Sequence, residues 1–212
     1  MVTTSSPEEL CEYVAACDVI EVLEGPDHNV APSGLLPVAW VGDQTDSGRL
    51  LGVARWGLVP SWATDPAVGL RLFNARAETV AVKPSFRAAF RRRRCLVLLA
   101  GFYEWGPGVT GSPKQPWFVC RVDGSPLALA GLWESRFDDG RMLRTCTVVT
   151  VPANADLAPV HNRMPAVVAE NDWDRWLDPA TSVRPTLEEV LVPSPHGLLS
   201  LHPVDRRGTV QG

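Results

Sequence analysis

The stretch Cys95-Leu96-Val97-Leu98-Leu99-Ala100-Gly101-Phe102-Tyr103-Glu104-Trp105 gives the clearest structural signal in the chain. Its first half is continuously apolar, which is typical of a strand that is buried on both faces. The strand leads directly to Glu104, whose neighbours are aromatic. A carboxyl group that emerges there is expected to have a raised pKa and to suit general acid–base chemistry. An edge glutamate paired with an arginine is the alternative, but desolvated glutamate is rare, which favours the catalytic interpretation.

A second polar cluster lies upstream, in Phe73-Asn74-Ala75-Arg76-Ala77-Glu78-Thr79. Side chains two residues apart share one face of a strand. A strand here would therefore present Asn74, Arg76 and Glu78 together, with two alanines on the opposite face. Such a triplet could line a binding site. A solvated strand face explains the heptapeptide equally well, so this segment alone leaves both interpretations open.

Charge is unevenly distributed along the chain. The formal net charge is −4, yet residues 71–94 contain seven Arg and one Lys against one Glu, which gives 8 − 1 = +7 and leaves −11 for the remainder. A basic segment of this kind can attract a polyanion locally even on an acidic protein. For Arg91–Arg94 alone, the solvated C-terminal end of a helix is the favoured interpretation, because cations are stabilised there.

Length and composition limit the class of protein. The 212 residues, 45% apolar and 21% charged, are consistent with one soluble globular domain spanning 1–212. No apolar run reaches the roughly 18 residues that cross a bilayer, and the amino end does not have the pattern of a signal peptide. Five cysteines without a CxxC spacing predict reduced thiols in a cytoplasm. The four histidines are scattered, so we expect neither a metal nor a cofactor.

Short strands dominate the remaining pattern. Apolar runs and alternation predict them at 35–41, 49–56, 95–100, 117–122, 127–133, 144–151, 166–169 and 198–203. Helices are predicted at 7–17, 84–93 and 172–177, with further helix starts near Ala153 and Thr186. We therefore expect a strand-rich α+β domain with a curled sheet or barrel-like core, a few short helices and a basic groove.

Three further segments contain candidate site residues. The two tryptophans of Arg55-Trp56-Gly57-Leu58-Val59-Pro60-Ser61-Trp62 either cover the edge of the core or stack on an unstacked base, and core packing is favoured. Asn29 precedes a proline turn, where asparagine often bonds its own backbone. His161 is a lone histidine, which is more often structural than catalytic. Its proximity to Arg163 and the proline after Met164 favour a functional role.

Seven segments of the chain follow one another in a distinctive order. They are Asn29-Val30-Ala31-Pro32, Arg55-Trp56-Gly57-Leu58-Val59-Pro60-Ser61-Trp62, Asn74-Ala75-Arg76-Ala77-Glu78-Thr79, Gly101-Phe102-Tyr103-Glu104-Trp105, Lys114-Gln115-Pro116, Gly131-Leu132-Trp133-Glu134 and His161-Asn162-Arg163-Met164-Pro165. In this order the chain resembles the SRAP domain, the SOS-response-associated peptidase family, over residues 28–204. No single segment is specific, but their collinearity is.

The resemblance implies binding to single-stranded DNA and a covalent bond to abasic sites. In the family, a cysteine directly after the initiator methionine supplies the α-amine that attacks the ring-opened sugar, and its thiol closes a thiazolidine. A 1,2-aminothiol suits this task, because an amine alone gives a hydrolysable imine. The expected partners are single-stranded and abasic-site DNA, and the expected protein is a monomer, cytoplasmic and associated with a bacterial nucleoid.

Roles for individual residues follow from the same resemblance. It implies a catalytic set of Asn74, Glu104 and His161, which orient the terminal residue, move protons and assist sugar-ring opening. It implies a DNA-binding set of Asn29, Trp56, Trp62, Arg71, Arg76 and Arg163, in which the arginines contact phosphates.

The two ends of the chain depart from the family pattern. Members open Met-Cys-Gly-Arg and an aromatic residue, whereas this chain opens Met1-Val2-Thr3-Thr4. Cys11 and Cys17 do not replace the missing cysteine, because both are predicted inside the first helix and have no free α-amine. A start placed a few residues late, a trimmed sequence and a natural paralogue all fit this pattern. The tail, 205–212, also lacks the Asn-rich segment that usually follows the last strand.

If the chain is complete as written, we expect only a reversible imine through the amine of Met1 or Val2. Glu104 and His161 would carry protons, with β-elimination as a further route, and stable crosslinking would be lost. A module that binds single-stranded DNA without covalent chemistry is one alternative. A peptidase is another, and it is less favoured because Glu104 and His161 have no partnered Ser or Cys nearby in sequence. Enzymatic activity therefore stays open at this stage.

Overall fold

The computed structural model describes residues 1–42, 48–107, 114–138, 140–181 and 183–204. Its strands are β1 (Ala16–Val19), β2 (Leu35–Val41), β3 (Arg49–Trp56), β4 (Asn74–Arg76), β5 (Arg94–Leu99), β6 (Phe102–Gly106), β7 (Gln115–Arg121), β8 (Leu127–Asp138), β9 (Arg141–Pro152), β10 (Arg163–Pro165) and β11 (Leu199–Pro203). Its helices are α1 (Pro7–Val14), α2 (Ala77–Val80), α3 (Arg87–Arg92), α4 (Trp173–Leu177) and α5 (Arg184–Glu188). The predicted strand-rich α+β class is confirmed. The tail predicted to lack the Asn-rich segment lies outside the described residues.

A closed barrel of five strands forms the core. Antiparallel pairs join β3 to β2, β2 to β5, β5 to β8 and β8 to β9. A parallel contact between β3 and β9 closes the ring, with Arg55 opposite Thr145 and Trp56 opposite Cys146. Closure pairs backbone groups that an open sheet would leave at its edges. The predicted barrel-like core is therefore confirmed.

Strand β5, which contains most of the continuous apolar run, is buried on both faces. All six of its residues are buried. It lies between β2 and β8 in the barrel, and α4 packs against it. The Trp176 indole N–H of α4 donates to the Cys95 carbonyl at 2.9 Å. As predicted, Phe86, Phe90 and the tryptophans of α4 face the core.

A smaller sheet, in the order β11-β7-β6, lies beside the barrel and holds Glu104. The chain passes from β5 to β6 through Gly101, which packs directly on β7. A Cβ at this position would lie 2.5 Å from the Phe118 ring and 2.6 Å from the Val119 carbonyl oxygen. Glycine is therefore needed for the close approach that carries the chain from the barrel into the second sheet.

The first helix is shorter than predicted. Its capping box is present, since the Glu9 N–H donates to Ser6 Oγ at 3.2 Å and the Ser6 N–H donates to Glu9 Oε2 at 2.8 Å. Ala15 adopts a left-handed conformation with φ 49° and ends the helix. The prediction that Cys17 is helical was wrong, because the next residues pair with β3 as strand β1.

Three other boundary predictions were also wrong. No helix begins at residues 153–156, because a turn at 155–160 follows Asn154, and α5 begins at Arg184, so Thr186 does not cap it. Residues 166–169 form no strand ladder. The Ala166 N–H donates to the Val149 carbonyl of β9, whereas the Val168 N–H donates to the Ala128 carbonyl of β8. The segment thus divides its bonds between two strands, a tertiary arrangement that local apolar pattern cannot reveal.

Arg94 is not part of a solvated helix end, contrary to the sequence prediction. Only 1% of its surface is exposed. Its guanidinium donates to the carbonyls of Phe90 at 2.7 Å, Thr181 at 2.9 Å, Trp176 and Asp178. Burial lowers the pKa of Arg94 to about 10. The guanidinium binds carbonyls at the ends of α3 and α4, which would otherwise lack donors.

Replacing Arg94 with alanine is expected to lower the free energy of unfolding by about 3 kcal/mol, because buried carbonyls lose charged donors and a cavity forms. Urea denaturation measures this loss. The matched control is Arg92→Ala, which removes an exposed arginine of the same region and is expected to cost about 0.5 kcal/mol or less. Equal losses in the two variants would contradict the structural role of Arg94.

Candidate active site

A cavity of about 350 Å³ lies where the amino end, β4, β6, β9 and β10 meet. Its walls are formed by Met1, Trp56, Phe73, Asn74, Arg76, Phe102, Tyr103, Glu104, Thr150, His161, Arg163, Met164 and Pro165. The three residues predicted to be catalytic, Asn74, Glu104 and His161, therefore line one cavity although they come from distant segments. Met1, which carries the α-amine, lines the same cavity.

Strand β4 directs Asn74 and Arg76 toward this cavity. It runs parallel to β9, with Asn74 opposite Val148 and Arg76 opposite Thr150. The exposed–buried–exposed pattern of β4, with Ala75 buried, confirms that Asn74 and Arg76 share a face. The extension of this face to Glu78 was wrong, because the strand ends at Arg76 and Glu78 lies in α2.

Glu104 enters the cavity from β6, where it lies opposite Trp117 of β7. Burial raises the pKa of its carboxyl group, while the charge of His161 and a hydrogen bond from the Trp105 backbone act in the opposite direction. The raised pKa agrees with the sequence expectation. A carboxyl group that keeps its proton toward neutral pH can act as a general acid.

The amino end is held in the cavity wall by backbone hydrogen bonds. The Met1 amine donates to the Val30 carbonyl at 2.8 Å, and the Val30 N–H donates back to the Met1 carbonyl at 2.8 Å. The Val2 N–H donates to the Gly101 carbonyl at 2.8 Å. Burial lowers the pKa of the Met1 amine, with Asp27 opposing that shift. A lowered pKa increases the fraction of neutral amine, which is the nucleophilic form.

His161 lies on the loop that leads into β10. The Arg163 backbone N–H donates to His161 Nδ1 at 3.0 Å. The same Nδ1 lies 3.0 Å from the Arg163 carbonyl oxygen, which can accept a hydrogen bond from an Nδ1–H. Nδ1 therefore accepts from the N–H in one tautomer or donates to the carbonyl in the other, and the Arg163 backbone holds the ring in both cases.

The residues predicted to bind DNA fall into two groups. Trp56, Arg76 and Arg163 line the cavity, whereas Asn29, Trp62 and Arg71 are exposed outside its lining. Trp56 is only 8% exposed and its indole N–H donates to the Phe73 carbonyl at 2.7 Å. Core packing, the interpretation favoured from the sequence, therefore accounts for Trp56. Trp62 is 61% exposed and is available for stacking.

Sequence reasoning missed Thr150 as a lining residue. It lies near the end of the strand predicted at 144–151, opposite both Arg76 of β4 and Pro165 of β10. Its hydroxyl donates to the Ala75 carbonyl at 3.3 Å and accepts from the Arg163 guanidinium at 3.2 Å. The strand contains two other threonines, Thr145 and Thr147, so nothing local distinguishes Thr150, and only the strand pairing reveals its place.

The described residues contain neither a metal-ion cluster nor a membrane-spanning helix. Among them, no group of three or more His, Cys, Asp and Glu side chains could hold a metal ion. No helix in the described parts of the chain is both long and apolar enough to cross a membrane.

Comparison with known proteins identifies the family. Residues 1–209 match the sequence profile of SRAP, the SOS response associated peptidase family. The chain belongs to the SRAP family. Among relatives, it is 36% identical over 169 residues to the abasic site processing protein YoaM of Bacillus subtilis, with 79% of this chain and 73% of that protein covered. It is 31% identical over 209 residues to the abasic site processing protein HMCES of Xenopus tropicalis, with 85% and 59% covered.

Two solved structures share the fold of this chain. A crystal structure of a protein from Bacteroides thetaiotaomicron superposes with a TM-score of 0.82 at 21% identity, covering 96% of this chain and 90% of that one. A protein from Bordetella bronchiseptica superposes with a TM-score of 0.77 at 24% identity, covering 96% and 98%. At these identities the likeness concerns the fold alone.

Proposed function

We propose that this SRAP protein processes abasic sites in single-stranded DNA by forming an imine between its terminal amine and the ring-opened sugar. The observation that carries the proposal is the shared cavity: it is lined by Met1, whose amine has a lowered pKa, by Glu104, whose carboxyl group has a raised pKa, and by His161. The relatives named abasic site processing proteins, at 31% to 36% identity, support the choice of substrate.

The chemistry assigns one step to each group. The neutral amine attacks the C1′ aldehyde, a C–N bond forms and the carbonyl oxygen takes a proton to give a carbinolamine. Protonated Glu104 then gives a proton to the departing hydroxyl, so that water leaves and the imine forms. His161 shuttles the proton released by the amine, and the Asn74 amide orients the amino end.

The surroundings of the cavity suit a single strand. A cavity of about 350 Å³ admits an extruded sugar and its phosphates, whereas a paired, stacked nucleotide would have to leave the duplex first. Arg76 and Arg163 in its wall can contact flanking phosphates. The exposed Trp62 offers a ring on which an unpaired base can stack.

Borohydride trapping tests the proposal. The protein is incubated with a single-stranded oligonucleotide that has one abasic site, with and without borohydride, and run on a denaturing gel. We expect an adduct that requires borohydride, because reduction fixes an imine. An oligonucleotide with a tetrahydrofuran site, which has no aldehyde, is the matched control and should give none.

The outcomes separate the alternatives. Binding to the abasic oligonucleotide without a trapped adduct would contradict the imine and leave a non-covalent single-strand binding module, for which the exposed Trp62 is the supporting observation. Absence of both binding and adduct would contradict the proposed substrate.

A further inference from the structure

Glu78 forms an ion pair with the guanidinium of Arg163. Arg163 lines the cavity, whereas Glu78 does not. One carboxylate oxygen accepts from Arg163 Nη1, and the other accepts from Nη2 at 3.0 Å. This pair joins residues that lie 85 positions apart in sequence. The arrangement is bidentate, which fixes the direction of the guanidinium plane as well as its distance.

The guanidinium is also held from its other side by β9. Arg163 Nη2 donates to the Thr150 carbonyl and to Thr150 Oγ1, the latter at 3.2 Å. The Arg163 side chain is 20% exposed and that of Glu78 is 50% exposed. The hydrogen bond to Arg163 lowers the pKa of Glu78, so the carboxylate stays charged at neutral pH. Arg163 is thus clamped between α2 and β9.

This clamp leads directly to His161. The backbone N–H of the clamped residue, Arg163, donates to His161 Nδ1 at 3.0 Å. The Arg163 carbonyl oxygen lies equally close to Nδ1, at 3.0 Å, so the Arg163 backbone holds the ring in either tautomer. Strand pairing with Pro152 of β9 places this backbone, and the side-chain clamp adds a second restraint on the same residue.

We propose that Glu78 is a positioning residue of the site: it fixes Arg163 against Thr150, so that the Arg163 backbone N–H and carbonyl hold the His161 ring in one orientation. The catalytic part of this inference rests on the proposed function. A competing explanation is that Glu78 only occupies Arg163 until a DNA phosphate displaces it. The two explanations predict opposite results when the carboxylate is removed.

The test compares Glu78→Gln with wild type in three measurements. We expect the single-turnover rate of borohydride-trapped adduct to fall about tenfold, because small displacements of a catalytic group are costly. The dissociation constant for the abasic oligonucleotide should stay within about twofold, since no contact to the DNA is removed. The ¹⁵N shifts of the His161 ring in the free protein should change, because the backbone N–H and carbonyl that contact Nδ1 lose one restraint.

Two further variants make the test specific. Glu78→Asp keeps the carboxylate and should restore much of the rate. Glu188→Gln is the matched control, since Glu188 forms a similar pair with Arg184 at 2.6 Å beside the neighbouring depression that Glu78 also lines. It should change none of the three measurements. Thr150→Val removes the hydrogen bond between Arg163 Nη2 and Thr150 Oγ1 and should change the ¹⁵N shifts of the His161 ring in the same direction.

Two results would overturn the inference. Tighter DNA binding by Glu78→Gln with an unchanged rate would show competition with phosphate instead of positioning. Unchanged His161 ¹⁵N shifts in a folded Glu78→Gln protein would show that the clamp does not control the ring. If wild type forms no adduct at all, the proposed function fails, but the ¹⁵N measurement on free protein still decides whether Glu78 positions His161.

Discussion

Replacing Glu104 with glutamine is expected to slow formation of the trapped adduct by about 10²- to 10⁴-fold, the usual range for loss of a general acid. Glutamine keeps the shape of the side chain but cannot give a proton to the leaving hydroxyl. Binding to the abasic oligonucleotide should be nearly unchanged, because the loss concerns proton transfer. Single-turnover trapping and a fluorescence binding assay measure the two effects separately.

The pH profile gives a second, independent check on Glu104. In wild type the rate should rise with pH as the Met1 amine loses its proton, and decline as Glu104 loses its own. Burial lowers the pKa of the amine and raises that of Glu104, which brings both changes toward neutral pH. In Glu104→Gln the residual rate should rise and level off without the decline.

Glu12→Gln is the matched control for this substitution, since Glu12 is an exposed carboxylate of α1 far from the cavity lining. It should leave the rate, the binding and the pH profile unchanged. An unchanged rate in Glu104→Gln, or a decline at high pH that persists there, would contradict the assignment of Glu104 as the acid.

Placing Cys-Gly-Arg-Tyr before Val2 in place of Met1, behind a removable initiator methionine, is expected to convert a reversible imine into a heat-stable adduct. Met1 lines the cavity, so an extension at this point starts from the cavity wall. The new terminal cysteine supplies an amine and a thiol on adjacent carbons, and the thiol can close a ring on the imine carbon. A denaturing gel after heating, without borohydride, measures the gain.

An otherwise identical protein that begins Ala-Gly-Arg-Tyr is the control for this gain of function. It has the same length and the same terminal amine but no thiol, so its adduct should still require borohydride. A heat-stable adduct in the alanine version, or none in the cysteine version that nevertheless forms a trapped imine, would contradict the proposed geometry of the amino end.

Several features of the site could be predicted from the sequence because they depend on near neighbours in the chain. A continuous apolar run needs burial on both faces, so β5 could be predicted from residues 95–100. Glu104 was expected shortly after the end of this strand, and it lies there, in β6. The two-residue period of a strand placed Asn74 and Arg76 on one face. The capping box at Ser6 likewise uses only residues within one helical turn.

Other predictions failed where distant partners decide the outcome. The sequence predicts Arg94 to be a solvated arginine beside three others. In the structure it is buried, and its guanidinium donates to carbonyls from the ends of two helices. Glu78 was predicted to continue the strand face of Asn74 and Arg76, but it lies in α2 and binds Arg163. Residues 166–169 were predicted to form a strand, but their backbone hydrogen bonds are divided between β8 and β9.

The sequence by itself determined the class of fold, the buried strand and the chemical types of the candidate catalytic groups, because periodicity and apolar runs are local properties of the chain. Only the tertiary structure decided which groups meet. Closure of the barrel by β3 and β9, and the pairing of β4 and β10 with β9, bring the amine, Glu104 and His161 to one cavity. Burial in that cavity then shifts the pKa values of Glu104 and the amine, an effect of surrounding atoms that no local pattern encodes.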